Sequence, residues 1–122
     1  MSDKPVLLLA EDEAMLRLLA VEMLEEAGFE VFEAADGLEG LELLKNHPEI
    51  SLLVSDIKMP RMDGYALAEA GLALKPDLKI LLMTGYAQDP PPALLRQTEV
   101  QVLHKPFNLE RLCALAAELT AS

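Results

Sequence analysis

A doubly wound α/β fold, with five parallel strands between helices on both faces, is predicted by three features of the sequence. Short continuous apolar runs alternate with stretches of helical apolar spacing, and the runs end in acidic, hydroxyl or basic residues. Runs apolar on both faces suit strands covered by helices on either side. Strand–helix–strand crossovers are right-handed in about 98% of cases, which makes the alternation a wound sheet rather than a meander. The 122 residues fit one compact domain, and 52% hydrophobic against 4% aromatic residues requires an aliphatic core.

Each element follows in order. Residues 6–10 form the first strand, which stops at Glu11-Asp12-Glu13. Over 13–27, Met15, Leu16, Leu19, Met23 and Leu24 recur at helical spacing while Glu22, Glu25 and Glu26 stay polar, and Gly28 supplies the stop. Residues 29–34 make the second strand, and Asp36 caps a helix through Lys45 that His47-Pro48 closes. The third strand covers 50–55 and ends in Asp56; the third helix covers 65–74 and stops at Lys75-Pro76. The fourth strand covers 79–83 and ends in Thr84-Gly85. Pro90-Pro91-Pro92 admits only a short helix, roughly 93–97, because proline fits a first turn and not an interior. The fifth strand covers 100–103, ahead of Lys105-Pro106. Asn108 caps a last helix whose stripe is Leu109, Leu112, Leu115, Ala116 and Leu119.

Charge and composition exclude several partner classes. Asp and Glu number 21 against 10 Lys and Arg, and the net charge of −11 would repel a phosphate backbone or an anionic membrane surface. Neither nucleic acid nor membrane is an expected partner. The single cysteine, Cys113, permits no intrachain disulfide and no Cys-rich zinc site, and is read as packing in a reducing, cytoplasmic setting. No apolar run is long enough for a membrane span or a signal peptide. His47 and His104 have no companions at metal-ligand spacing.

In open α/β sheets the functional crevice lies at the carboxyl ends of the strands. There the first strand delivers Glu11 and Asp12, the third Asp56, the fourth Thr84 and the fifth Lys105. If strands one and three are neighbours, three carboxylates meet, and each close pair repels by about 4 kcal/mol at an effective dielectric near 20. A hard, oxygen-seeking cation such as Mg2+ offsets that repulsion, with Lys105 neutralising the remainder. A carboxylate beside a divalent ion, a lysine and a hydroxyl suits phosphoryl acceptance, where charge neutralisation and in-line positioning dominate. Asp56 is the candidate nucleophile, and Glu11 and Asp12 are suited to orienting a metal. Ordinary roles compete: Asp12 as a helix cap, Asp56 or Asp63-Gly64 as turn residues, Thr84 as a strand residue, Lys105 as a surface charge. Convergence of these residues on one edge favours chemistry.

Glu11-Asp12, the segment Asp56-Ile57-Lys58-Met59-Pro60-Arg61-Met62-Asp63-Gly64, Thr84-Gly85 and Lys105-Pro106-Phe107 closely resemble the receiver domain of two-component response regulators, in the right order over nearly the whole chain. The resemblance implies a flavodoxin-like sheet of order 2-1-3-4-5, with Asp56 as phosphoacceptor. The phosphoryl group would come from a phosphohistidine of a sensor histidine kinase or histidine phosphotransfer protein. Mg2+ would be held by Asp12, Asp56 and the Lys58 backbone carbonyl, with Glu11 acting through water. Thr84 and Lys105 would contact the phosphoryl oxygens, and Lys105-Pro106 would carry a cis peptide bond.

The sequence departs from the family at Val102, where a Tyr or Phe commonly swings inward as the threonine moves. The Thr84–Val102 switch therefore has no ring to move, and switching is expected through the backbone and loop of the short proline-opened helix. Lys58 and Tyr86 are expected to screen the site and prolong the phosphoform. Because the last helix ends near Leu119, residues 1–122 are expected to be a stand-alone receiver without an output domain. It would catalyse only its own phosphorylation and dephosphorylation, and would signal through an unknown downstream protein or onward phosphorelay. A haloacid-dehalogenase phosphatase would need Asp-x-Asp after the first strand, but Ala14 stands two places after Asp12. Rossmann and P-loop glycine patterns are missing. The remaining alternative is a pseudo-receiver, a binding module without phosphorylation.

Overall fold

The elements, in order, are β1 (Val6–Ala10), α1 (Ala14–Glu26), β2 (Glu30–Ala34), α2 (Gly37–Asn46), β3 (Leu52–Asp56), α3 (Gly64–Leu74), β4 (Lys79–Thr84), β5 (Val100–His104) and α4 (Leu109–Thr120). The structure, a computed structural model, describes residues 4–84, 100–104 and 108–121. The helix expected at 93–97, Tyr86, Lys105 and the Lys105-Pro106 bond lie outside the described residues.

All strands pair in parallel in the order β2-β1-β3-β4-β5, the doubly wound arrangement that the sequence predicts. Register brings the carboxyl ends level: Ala10 lies opposite Ser55, Asp56 opposite Met83, and Thr84 opposite His104. Alternation along each strand then divides the core in two. Leu7, Leu9, Leu52, Val54, Leu81 and Met83 pack against α1 and α4 through Ala20, Val21, Leu24, Leu112, Leu115 and Ala116. Leu8, Ala10, Leu53, Ile80 and Leu82 face α2 and α3, meeting Leu44, Leu67, Ala68 and Leu72. Burying such a leucine contributes about 1.5–3 kcal/mol, so the two aliphatic layers fix which strands are neighbours.

The α1 stripe expected from spacing is corrected by the structure. Met15 is 64% and Leu19 45% exposed, while Ala20, Val21 and Leu24 are buried. Burial of Ala20, Val21 and Leu24 sets the roll of the helix, and it places Arg17 so that its Nη1 donates to the Glu11 carbonyl at 2.7 Å and its Nε to Glu33 Oε1 at 3.2 Å. A helix rich in Leu and Met on several sides carries no unique inward face in its sequence, and tertiary contacts choose one. Several boundaries also shift: α1 runs from Ala14 to Glu26 and α2 to Asn46, β2 starts at Glu30, β3 runs from Leu52 to Asp56, α3 starts at Gly64, and β4 and β5 continue to Thr84 and His104. No helix among the described residues is long and apolar enough to cross a membrane.

Candidate functional site: an acidic corner at the ends of β1 and β3

Glu11 prolongs β1 by one residue, because its N–H donates to the Ala34 carbonyl at 3.0 Å. Its side chain is buried, and Oε2 accepts the Glu13 N–H at 3.0 Å. Asp12 follows on the exposed side of the turn. Asp12 does not cap α1: that position belongs to Glu13, whose side chain makes no capping bond. Asp56 is the last residue of β3 and is buried. The ladder runs one residue past it, with the Ile57 N–H donating to the Met83 carbonyl at 3.0 Å, which holds the end of β3 against β4.

One carboxylate oxygen from each of Glu11, Asp12 and Asp56 lies within 4.8 Å of the others. At such separations each ionised pair repels by a few kcal/mol even at an effective dielectric near 20. The donor set is entirely oxygen, with one acid exposed and two buried, and it fits a hard divalent cation that retains part of its water shell. Thr84 ends β4, buried and on the same sheet edge, opposite the last residue of β5. Lys105 would follow there but lies outside the described residues. Val102, the expected switch position, sits on β5 and is 39% exposed.

An open cleft of about 400 Å3 reaches the corner, lined by Asp12, Lys58, Met59, Pro60 and Asp63. Asp63 itself caps α3 by accepting the Ala66 N–H at 2.8 Å, the turn role weighed for it from sequence. A second cavity, of about 330 Å3, lies between the C-terminal ends of α2 and α3, lined by Leu44, Lys45, His47, Leu74 and Lys75 among others, and touches none of the three acids. Cys113 packs half-buried against the α1 and α4 core, where burial pushes its thiol pKa up and leaves little thiolate at neutral pH.

Sequence reasoning missed the residues that shape this corner from behind. Arg17 grips the Glu11 carbonyl, and the buried Ser55 hydroxyl donates to the Asp56 carbonyl at 2.8 Å. Asp36 and Arg61 form an ion pair beside the loop that follows Asp56. The Glu39 backbone N–H first, and then the Arg61 guanidinium, hold the Asp36 carboxyl below the usual carboxylate range. One signal was available: the chain carries two Asp-Gly pairs at helix starts, Asp36-Gly37 and Asp63-Gly64. At both, a Cβ on the glycine would collide with backbone of residues 56–62, at Met62 for Gly37 and at Asp56 and Ile57 for Gly64.

The response regulator receiver domain family matches residues 7–117. The chain is 41% identical over 109 residues to the response regulator receiver protein CpdR of Brucella abortus, covering 87% of this chain and 88% of that protein. It is 36% identical to the sensor kinase CckA of the same organism, over 98% of this chain but only 13% of the kinase's length. The solved structure of a CheY-like response regulator receiver domain protein from Methanospirillum hungatei superposes with a TM-score of 0.85 at 30% identity, covering 95% of this chain and 93% of that one. Sheet order, acidic corner and sequence agreement over most of the chain thus converge, and the protein belongs to the response regulator receiver domains of two-component systems.

Proposed function

We propose that this receiver accepts a phosphoryl group on Asp56 from a phosphohistidine of a sensor histidine kinase or histidine phosphotransfer protein. The observation that carries the reading is the gathering of Glu11, Asp12 and Asp56 at one corner, with Thr84 on the same edge. An Asp56 carboxylate oxygen attacks phosphorus, the P–N bond to the imidazole breaks, and the electron pair leaves with the ring nitrogen. The product is an acyl phosphate whose added charge needs neutralising.

Asp12, Asp56 and the Lys58 backbone carbonyl would hold Mg2+, with Glu11 acting through water. When bound, Mg2+ would supply positive charge that offsets the charge of the incoming phosphoryl group. The Thr84 hydroxyl donates to one of those oxygens, and Lys105 pairs with another. The Lys58 and Tyr86 side chains restrict the approach of water and prolong the phosphoform. The receiver acts in the cytoplasm, and its only catalysis is on itself. Its output is altered binding to another protein or onward phosphorelay, with Val102 offering no aromatic ring to report the change.

The test is incubation with Mg2+ and a small phosphodonor, followed by intact-protein mass spectrometry. The expected result is a gain of one phosphoryl group, abolished in Asp56→Asn and by chelation of the metal. No adduct on the native protein would sink the reading and leave a pseudo-receiver, for which the exposed aliphatic Val102 is the favouring observation.

A further inference from the structure

The loop that follows Asp56, residues 57–63, is held at three places. At its base the Gly64 N–H donates to the Ile57 carbonyl at 2.8 Å, and Gly64 lies so close to the Asp56 carbonyl that no Cβ fits between them. At its flank the Met62 backbone carbonyl and Cβ abut Gly37, the first residue of α2, where only glycine leaves room. At its tip stands Arg61, whose φ of 69° makes it the single non-glycine residue with positive φ among the described residues. Left-handed backbone brings Cβ against the carbonyl and disfavours any residue but glycine, asparagine or aspartate. Something must therefore hold Arg61 there.

The holding contact is on α2. Arg61 donates from Nε at 2.9 Å and from Nη2 at 2.6 Å, both to Asp36 Oδ2. The other oxygen, Oδ1, accepts the Glu39 N–H at 2.8 Å and so caps α2. Exposed ion pairs usually contribute little because both partners lose freedom. Here the Asp36 side chain is only 13% exposed and already fixed by its capping bond, so the anchor is rigid before the arginine arrives.

Between anchor and corner the chain has little slack. The Met62 N–H donates back to the Pro60 carbonyl at 2.8 Å, closing a tight turn around Arg61, and proline fixes φ at position 60. With the turn at 60–62 closed and φ of Pro60 fixed, few soft torsions separate Arg61 from Met59 and Lys58.

We propose that Arg61, anchored on Asp36, is a positioning residue for divalent-cation binding at the acidic corner. It holds residues 57–63 so that the Lys58 backbone carbonyl stays aligned with the oxygens of Asp12 and Asp56, and it touches neither the ion nor the phosphoryl group. The inference rests on the proposed function for its assignment of the Lys58 carbonyl as a ligand.

Calorimetric titration of the unphosphorylated protein with Mg2+ tests it, using the native chain, Arg61→Ala, Arg61→Gly and Arg61→Lys. Loss of a supporting contact around a metal site typically weakens binding by about 10-fold or more. Arg61→Ala and Arg61→Gly should both bind Mg2+ about 10-fold more weakly while still unfolding cooperatively in the metal-free state, and Arg61→Lys should fall between them and the native protein. Native affinity in both the Ala and Gly variants would overturn the inference. Weakening in Arg61→Ala alone would place the effect in the strained backbone and equally overturn the role given to the guanidinium. Failure of the native chain to bind Mg2+ would bring down the proposed function and this inference together, whereas native binding with unaffected variants brings down the inference only.

Discussion

The starts of α2, α3 and α4 differ from the start of α1. In the first three, a side-chain oxygen accepts a first-turn N–H: Asp36 from Glu39 at 2.8 Å, Asp63 from Ala66 at 2.8 Å, and Asn108 from Arg111 at 2.7 Å. In α1 the capping position holds Glu13, which makes no such bond, although three acids stand in a row there. A side-chain cap is worth about 1 kcal/mol. The β1–α1 turn forgoes it and also tolerates mutual repulsion among Glu11, Asp12 and Asp56. The same residue type thus caps a helix at two starts and joins a cluster of carboxylates at the third, and the difference lies in whether a neighbouring strand brings up another acid.

The contrast can be broken most severely from the capped side. Gly64→Ala inserts a Cβ against the Asp56 carbonyl, and overpacking of this kind costs about 3 kcal/mol, read as a lowered denaturation midpoint in urea. A midpoint equal to the native one would mean that the loop relaxes freely. Next in size, Asp12→Asn should weaken Mg2+ binding at least about tenfold by calorimetry, since it removes a ligand charge. The metal-free variant should be no less stable than the native protein, because it loses repulsion and no cap. A marked loss of metal-free stability would return Asp12 to a structural role. Asp63→Ala should do the reverse, costing about 1 kcal/mol of stability in the same urea titration.

The smallest effect is in acid. The Asp36 carboxyl titrates below its ordinary value of 3.8, chiefly because of the Glu39 N–H and then Arg61. The folded state therefore favours the ionised form. This contribution is complete above the ordinary value and disappears as pH falls through the lower folded one. Thermal midpoints of Asp36→Asn measured across that acidic range should fall less steeply than those of the native protein, and parallel curves would deny Asp36 this part in acid stability.

How much could be read in the sequence varied with the range of the interactions. The strands were legible because a short unbroken run such as Leu7-Leu8-Leu9, closed by Glu11-Asp12-Glu13, suits a sheet covered on both faces, and the observed order β2-β1-β3-β4-β5 agrees with the family resemblance. The Asp36 and Asn108 caps were legible because their bonds are made within three residues. The inward face of α1 was not, since apolar residues stand on several sides of the helix and packing against the sheet selects Ala20, Val21 and Leu24. The three acids could be nominated from sequence, but their meeting depends on β1 lying next to β3. The Asp36–Arg61 pair was invisible because arginine carries no preference for left-handed backbone, and its partner stands 25 residues away.

The outer border of the sheet formed by β2 has a colloidal consequence. Glu30 and Glu33 project there as exposed residues on a strand of five. An edge bearing charge resists the addition of a foreign strand. Two copies meeting along this border would have to desolvate the Glu30 carboxylate and the Arg17–Glu33 ion pair, so crowding should not zip them together on that side.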